Sequence, residues 1–223
     1  MKPERKNKFG HLIYIIALLF SSIFVFGVGV VWALQTMGVS PTISGTLSSQ
    51  MSIIIYGLAL FNFNKDVIID RLKNKLTFEA FWNGIKLTII VLIINIIIST
   101  LFIQSSEVPE QTQSIVERNS FLMTFLFPVI VAPIAEELAF RASLKYVLVD
   151  KACWKPWTYI ILSSVIFGLL HWSPGTMGLA HVLLTGLMGA TYSIVYLKTD
   201  NIYTPIVSHM LYNGLVITVA SLV

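Results

Sequence analysis

An all-α, polytopic integral membrane protein with about seven transmembrane helices is the fold class that three observations predict. The 223-residue chain is 56% hydrophobic and 12% charged, its mean hydropathy is +0.80, and its apolar residues fall into runs of membrane-spanning length. Soluble domains carry about 25% charged residues, so this composition leaves no room for one. A spanning helix needs about 20 residues, and the candidate runs lie near 11–34, 44–62, 84–103, 121–147, 157–173, 177–197 and 202–222. They divide into residues 1–120, with the first three spans and a charged cytoplasmic segment, and residues 121–223, which hold most of the reactive side chains placed inside spans.

The first run follows "MKPERKNK". This resembles the basic start of a signal peptide, but the run is too long and lacks an A-x-A cleavage pattern, so it reads as a retained helix. Placing the N-terminus in the cytoplasm puts Lys2, Arg5, Lys6, Lys8, Lys65, Arg71, Lys73, Lys75, Lys145, Lys151, Lys155 and Lys198 on that side. The opposite face receives "QSSEVPEQTQSIVERNS", with three glutamates and Arg118 as its cation. That asymmetry is what the positive-inside rule expects of a cell-membrane protein. The net charge of +4 therefore reports topology, and nucleic acid is not expected as a partner.

After the second run, "KDVIIDRLKNKLTFEAFW" mixes Val67, Ile68, Leu72, Leu76 and Phe81 with charges, as an amphipathic helix in the cytoplasmic interface would; a solvated loop fits the same residues. The lone Cys153 excludes an intramolecular disulfide and reads as incidental. No internal repeat, P-loop or dinucleotide fingerprint is present.

The chemistry is concentrated in "APIAEELAFRASL" and the spans that follow it. Glu136, Glu137, Arg141, His171, His181, His209 and Asn213 are the reactive side chains there, and each ionisable group near a bilayer centre costs at least about 2.5 kcal/mol. Glu137 and Arg141, Phe167 and His171, and His209 and Asn213 are spaced by four, so each pair shares one helix face. Glu137 precedes Arg141, the better order for an ion pair along a helix. Glu136 lies about 100° around the helix from Glu137, which leaves it for another task.

Such residues can simply join helices through hydrogen bonds, but seven of them, including adjacent acids, point to a functional site. A zinc site has suitable ligand types, yet H-E-x-x-H and its inverse are absent. A Ser-His-Asp site lacks both G-x-S-x-G and an aspartate within a span. A proton-relaying transporter would use the same groups, without the repeated halves or paired broken helices of that class. Water activation by a carboxylate remains: a carboxylate withdrawn from water is a stronger base and a nearby guanidinium keeps it ionised. An Asn amide and a His N–H on one face would supply the donors for a developing oxyanion.

"EELAFR" (Glu136 to Arg141), "FGLLH" (Phe167 to His171) and "HMLYN" (His209 to Asn213) resemble, in order and on separate spans, the E-E-x-x-x-R, F-x-x-x-H and H-x-x-x-N motifs of the CAAX protease and bacteriocin-processing (CPBP, Abi) family of intramembrane glutamate-dependent proteases. The similarity covers the chain from about Phe121 onward. It implies a metal-independent endopeptidase with no cofactor. Glu136 would be the base on the attacking water, and His171 would help hold that water. His209 and Asn213 would serve the oxyanion, and Glu137, Arg141 and Phe167 would support them. His181 matches no motif.

The implied substrate is a peptide or membrane-protein segment at the lipid bilayer, in bacterial peptide processing or bacteriocin self-immunity. Nothing in the sequence reads a prenyl group or an oligomeric state. The rival reading is a non-catalytic immunity or scaffold protein of the same fold. Taken at face value, the spans put Glu136 and His209 nearer the cytoplasmic side and His171 near the outer end of its span, on the order of 10 Å apart along the helix direction.

Overall fold

The computed structural model describes residues 28–102, 122–171 and 179–220, together with Ile13, Ile16, Ala17 and Ser21. The N-terminal basic stretch, most of the first expected span and the acidic 104–120 segment lie outside the described residues. The described chain is helical, with no strand among the described residues. We number its helices α1 (Gly29–Thr36), α2 (Pro41–Leu72), α3 (Phe78–Phe102), α4 (residues 122–151), α5 (Pro156–Leu170), α6 (Leu179–Thr199) and α7 (Tyr203–Ala220).

Two of these, α3 over Phe78–Ile98 and α6, are long and apolar enough to cross a membrane, and α5 is apolar but shorter. The expected seven spans are thus not reproduced by length and apolarity alone. Helix α4 is wound in pieces of ten residues or fewer, and α7 is interrupted by Thr204, Ser208, His209 and Asn213. Only 22% of the α3 window is buried, and Ile89, Ile90, Ile93, Ile96 and Ile97 stand exposed along it. A soluble protein does not leave such an apolar face open to water, so α3 fits a lipid surround.

The charged segment after the second run departs from expectation. Helix α2 carries on through it to Leu72, bending at Asn64, where φ is −131° and ψ is 27°. Residues 73–77 form the turn, and α3 takes up the remainder from Phe78. No separate interfacial helix forms because Ile68 is fully buried, packed beside Ile206 and Ala142; that burial draws the end of α2 into the bundle.

Prolines shape α4. Pro128 and Pro133 lack the N–H that an α-helical ladder requires, a loss that ordinarily kinks or breaks a helix. Instead Leu122–Val131 and Leu138–Ser143 wind with wide π-type turns on either side of the α-helical Ala132–Glu137. The joints stay helical, with φ, ψ of −70°, −51° at Val131 and −64°, −40° at Leu138. Wide turns bonded i to i+5 inside a helix tend to occur at functional sites, and these flank the α-helical piece that carries both glutamates.

At one end of the bundle, Asp200 ties the turn before α7 to the end of α2 and to α4. It pairs with Arg71 at 2.7 Å and Lys145 at 3.6 Å, and its carbonyl accepts from Asn74 Nδ2 at 3.2 Å. Tyr203 donates to the Leu72 carbonyl beside it, at 2.9 Å.

Helices α5 and α6 approach most closely at Gly168, where a Cβ would lie 2.6 Å from the backbone oxygen of Val182. No side-chain motion relieves a clash with backbone. Gly168→Ala is therefore expected to lower the melting temperature in detergent clearly, despite the roughly 1 kcal/mol that alanine gains over glycine within a helix. Gly57→Ala, whose Cβ would meet only ordinary contacts at 3.6 Å and beyond, should leave it unchanged or raised. Equal melting temperatures for the two variants would refute this account of the α5–α6 contact.

Candidate active site

Glu136 and Glu137 close the α-helical piece of α4, and Arg141 follows one turn later. All three are buried, at 4%, 0% and 0% exposure. Arg141 Nε lies 2.9 Å from Glu137 Oε2, and its Nη2 donates to Oε1 at 3.4 Å. The pairing read from the i, i+4 spacing is present.

The guanidinium needs more than one acid. Its Nη1 donates to Ser163 Oγ on α5 at 3.1 Å, and the Ser193 hydroxyl on α6 reaches both Ser163 Oγ, at 3.1 Å, and the Gly189 carbonyl, at 2.8 Å. Around it stand the rings of Phe167 at 5.1 Å, Tyr192 at 5.6 Å and Phe140 at 5.9 Å, positions at which ring faces attract a cation.

His209, on α7, meets both acids. Its Nδ1 is 3.0 Å from Glu137 Oε1 and its Nε2 3.8 Å from Glu136 Oε2. A carboxylate paired with a guanidinium only accepts, so Nδ1 carries a proton and donates. Nε2 is then the nitrogen turned toward Glu136. Tyr192 and Phe167 flank the imidazole, with ring centres 5.4 Å and 6.0 Å away. Glu136 Oε2 is buried without a hydrogen-bond partner in the protein.

His171 caps the end of α5. Its Nδ1 lies 2.7 Å from the Phe167 carbonyl, which can only accept, so the neutral ring presents the Nε2 lone pair elsewhere. The Phe167 ring is near both histidines, 4.5 Å from the His171 ring and 6.0 Å from that of His209. Asn213, one turn beyond His209, donates through Nδ2 to the Pro128 carbonyl at 2.8 Å. In an i to i+5 pattern that carbonyl would be served by residue 133, a proline without an N–H. Asn213 thus replaces a missing ladder bond and joins α7 to α4, with one amide hydrogen left over.

The family model described as type II CAAX prenyl endopeptidase Rce1-like matches residues 118–215, the stretch that contains this entire cluster. That stretch, under half of the chain, is similar to the Rce1-like, or CPBP, family. The Bacillus subtilis (strain 168) protein named "Putative membrane peptidase YdiL" is 33% identical over 109 residues, which are 48% of this chain and 42% of that protein. The aligned part is thus under half of the relative's length. No solved structure matches the chain.

Of the residues in the three motifs, the structure joins Glu137 to Arg141 and His209, sets Glu136 Oε2 3.8 Å from His209, places the Phe167 ring beside Arg141, His209 and His171, and turns the Asn213 amide to the Pro128 backbone. Ser163, Ser193 and Tyr192 were missed in reading the sequence. Ser163 had a signal, since it precedes Phe167 by four residues and His171 by eight and so shares their face. Ser193 and Tyr192 had none, because their partners lie on other helices.

Removing one member of a buried ion pair typically costs about 3 to 5 kcal/mol, much of it the penalty of the orphaned charge. Arg141→Ala should show that loss in thermal stability in detergent, and Arg141→Met with Glu137→Gln should recover part of it. Arg141→Ala with Glu136→Gln should recover much less, because Glu136 makes no ion pair with Arg141. Equal recovery by the two glutamate changes would show that Arg141 does not depend chiefly on Glu137.

Proposed function

We propose that the chain is a membrane-embedded, metal-independent endopeptidase in which Glu136 activates the water that attacks a peptide bond. The observation that carries this reading is the unequal state of two adjacent acids. Glu137 is held by Arg141 at 2.9 Å and His209 at 3.0 Å, whereas the buried Glu136 Oε2 meets His209 Nε2 only at 3.8 Å, beyond hydrogen-bond length. An unsatisfied buried acceptor is costly, and a group that must receive a proton during reaction accounts for keeping it.

In the proposed reaction the Glu136 carboxylate takes a proton from water as the water oxygen adds to the peptide carbonyl carbon. The second amide hydrogen of Asn213 donates to the oxyanion that forms, and His209, its Nδ1 proton held by Glu137, lines the same space with Nε2. The C–N bond then breaks, the carbonyl reforms, and Glu136 passes its proton to the departing amine. His171 accepts a hydrogen bond from the water through Nε2. The substrate in this reading is a peptide or protein segment presented at a bacterial membrane. The end carrying Arg71, Lys145 and Asp200 is placed in the cytoplasm, following the charge asymmetry of the turns.

Glu136→Gln keeps size and removes the base. Comparison of membrane peptidomes from cells carrying the wild type and this variant should show peptides whose appearance depends on Glu136. For a quenched fluorogenic peptide copying one such cleaved segment, the variant's rate should fall at least about 100-fold while its melting temperature is retained. Near-normal cleavage by purified Glu136→Gln would refute the assignment. Wild-type activity should also survive prolonged chelation in detergent; loss on chelation with recovery on adding zinc would instead favour metal-assisted hydrolysis.

A further inference from the structure

Resting on the hydrolase reading above, we infer that His181 is a positioning residue of this site, sharing with His171 the water that is passed to Glu136. His181 lies outside the three motifs, in the first turn of α6, with its backbone carbonyl accepting the Thr185 hydroxyl at 2.9 Å. Its ring centre is 6.5 Å from that of His171, with the planes inclined by 56°.

The separation is informative. Ring nitrogens sit about 1.1 Å from the ring centre and a direct N–H···N bond needs about 3 Å, so direct bonding closes at roughly 5 Å between centres. At 6.5 Å the nearest nitrogens can come no closer than about 4.3 Å, which is too long for a direct bond and within the reach of one bridging water with hydrogen bonds of about 2.8 Å.

The spacing is also held rigidly. The backbone of Val182, next to His181, meets α5 at Gly168, three residues before His171, in the tightest approach of the two helices. His171 cannot turn its Nδ1 to such a water, because that nitrogen donates to the Phe167 carbonyl. Its Nε2 therefore accepts from the water, and His181 supplies the second bond that fixes the water's orientation. A solitary imidazole leaves a water free to swing about one hydrogen bond; two restrict it, and restricting a reactant accelerates the step that consumes it.

The test uses the full-length protein in detergent and the quenched peptide copying a Glu136-dependent cleavage. His181→Leu and His181→Phe replace the imidazole with apolar side chains of different shape, and His181→Gln keeps a hydrogen-bonding end group. Whichever apolar variant keeps the wild-type melting temperature should lose kcat by about tenfold, the scale of one positioning hydrogen bond, with KM within about twofold and a changed solvent deuterium isotope effect on kcat. His181→Gln should recover most of the rate.

An independent readout needs no turnover: the ¹⁵N imidazole resonances of His171 should shift in the apolar variant and return toward wild type in His181→Gln. Wild-type kcat with unmoved His171 resonances in a folded apolar variant would overturn the inference. So would failure of both apolar variants to fold, which would assign His181 to holding the helix pair. Activity of Glu136→Gln in the same assay separates the two levels: an active Glu136→Gln defeats the hydrolase reading, while an inactive one beside a fully active His181→Leu defeats only the role of His181.

Discussion

The buried pair of Glu137 and Arg141 is the interaction on which the rest of the site depends. A guanidinium without solvent exposure must have its charge and its donors answered by protein, and four helices contribute. Helix α4 supplies the carboxylate and Phe140, α5 supplies Ser163 and Phe167, α6 supplies Tyr192 and Ser193, and α7 brings His209 to the far side of the same carboxylate. Because Glu137 is shared between Arg141 and His209, the ion pair fixes a histidine of α7 against an acid of α4. The positions of the functional groups are thus consequences of neutralising one buried cation.

The winding of α4 belongs to the same logic. Two prolines within five residues deprive the ladder of donors just before the acids, and the helix responds by widening its turns and recruiting the Asn213 amide from α7. A uniform α-helix would have used that carbonyl internally and given Asn213 nothing to bind there. One residue thus secures the helix pair and still has a second amide hydrogen.

Helices α5 and α6 serve as a rigid wall. Their close approach at Gly168 sets the distance between groups on the two helices, and the serine pair that steadies Arg141 bridges the same interface. The Asp200 junction performs a comparable task at one end of the bundle, where Arg71 and Lys145 converge on it from α2 and α4. Exposed ion pairs of this kind contribute little singly. Here they act together with backbone bonds from Asn74 and Tyr203, so the turns are located by several weak restraints at once.

The sequence by itself determined the all-helical class, the apolar helices and the pairs Glu137–Arg141, Phe167–His171 and His209–Asn213, because each of these follows from local periodicity: residues four apart on a helix share a face whatever surrounds them. It also singled out the stretch that is similar to the CPBP family. It did not determine that α2 runs on through the charged segment to Leu72, since that depends on Ile68 finding partners on other helices. Nor did it reveal that the prolines of α4 widen the helix instead of breaking it, that Ser163 and Ser193 answer Arg141, or that the Phe167 ring lies near both His171 and His209. Those features arise between helices, where neighbours are chosen by packing and by the need to pair every buried polar atom. Tertiary structure decided that His209 joins Arg141 on Glu137, at 3.0 Å, and stands farther from Glu136, at 3.8 Å, because the placement of a residue of α7 against α4 is set by packing between helices.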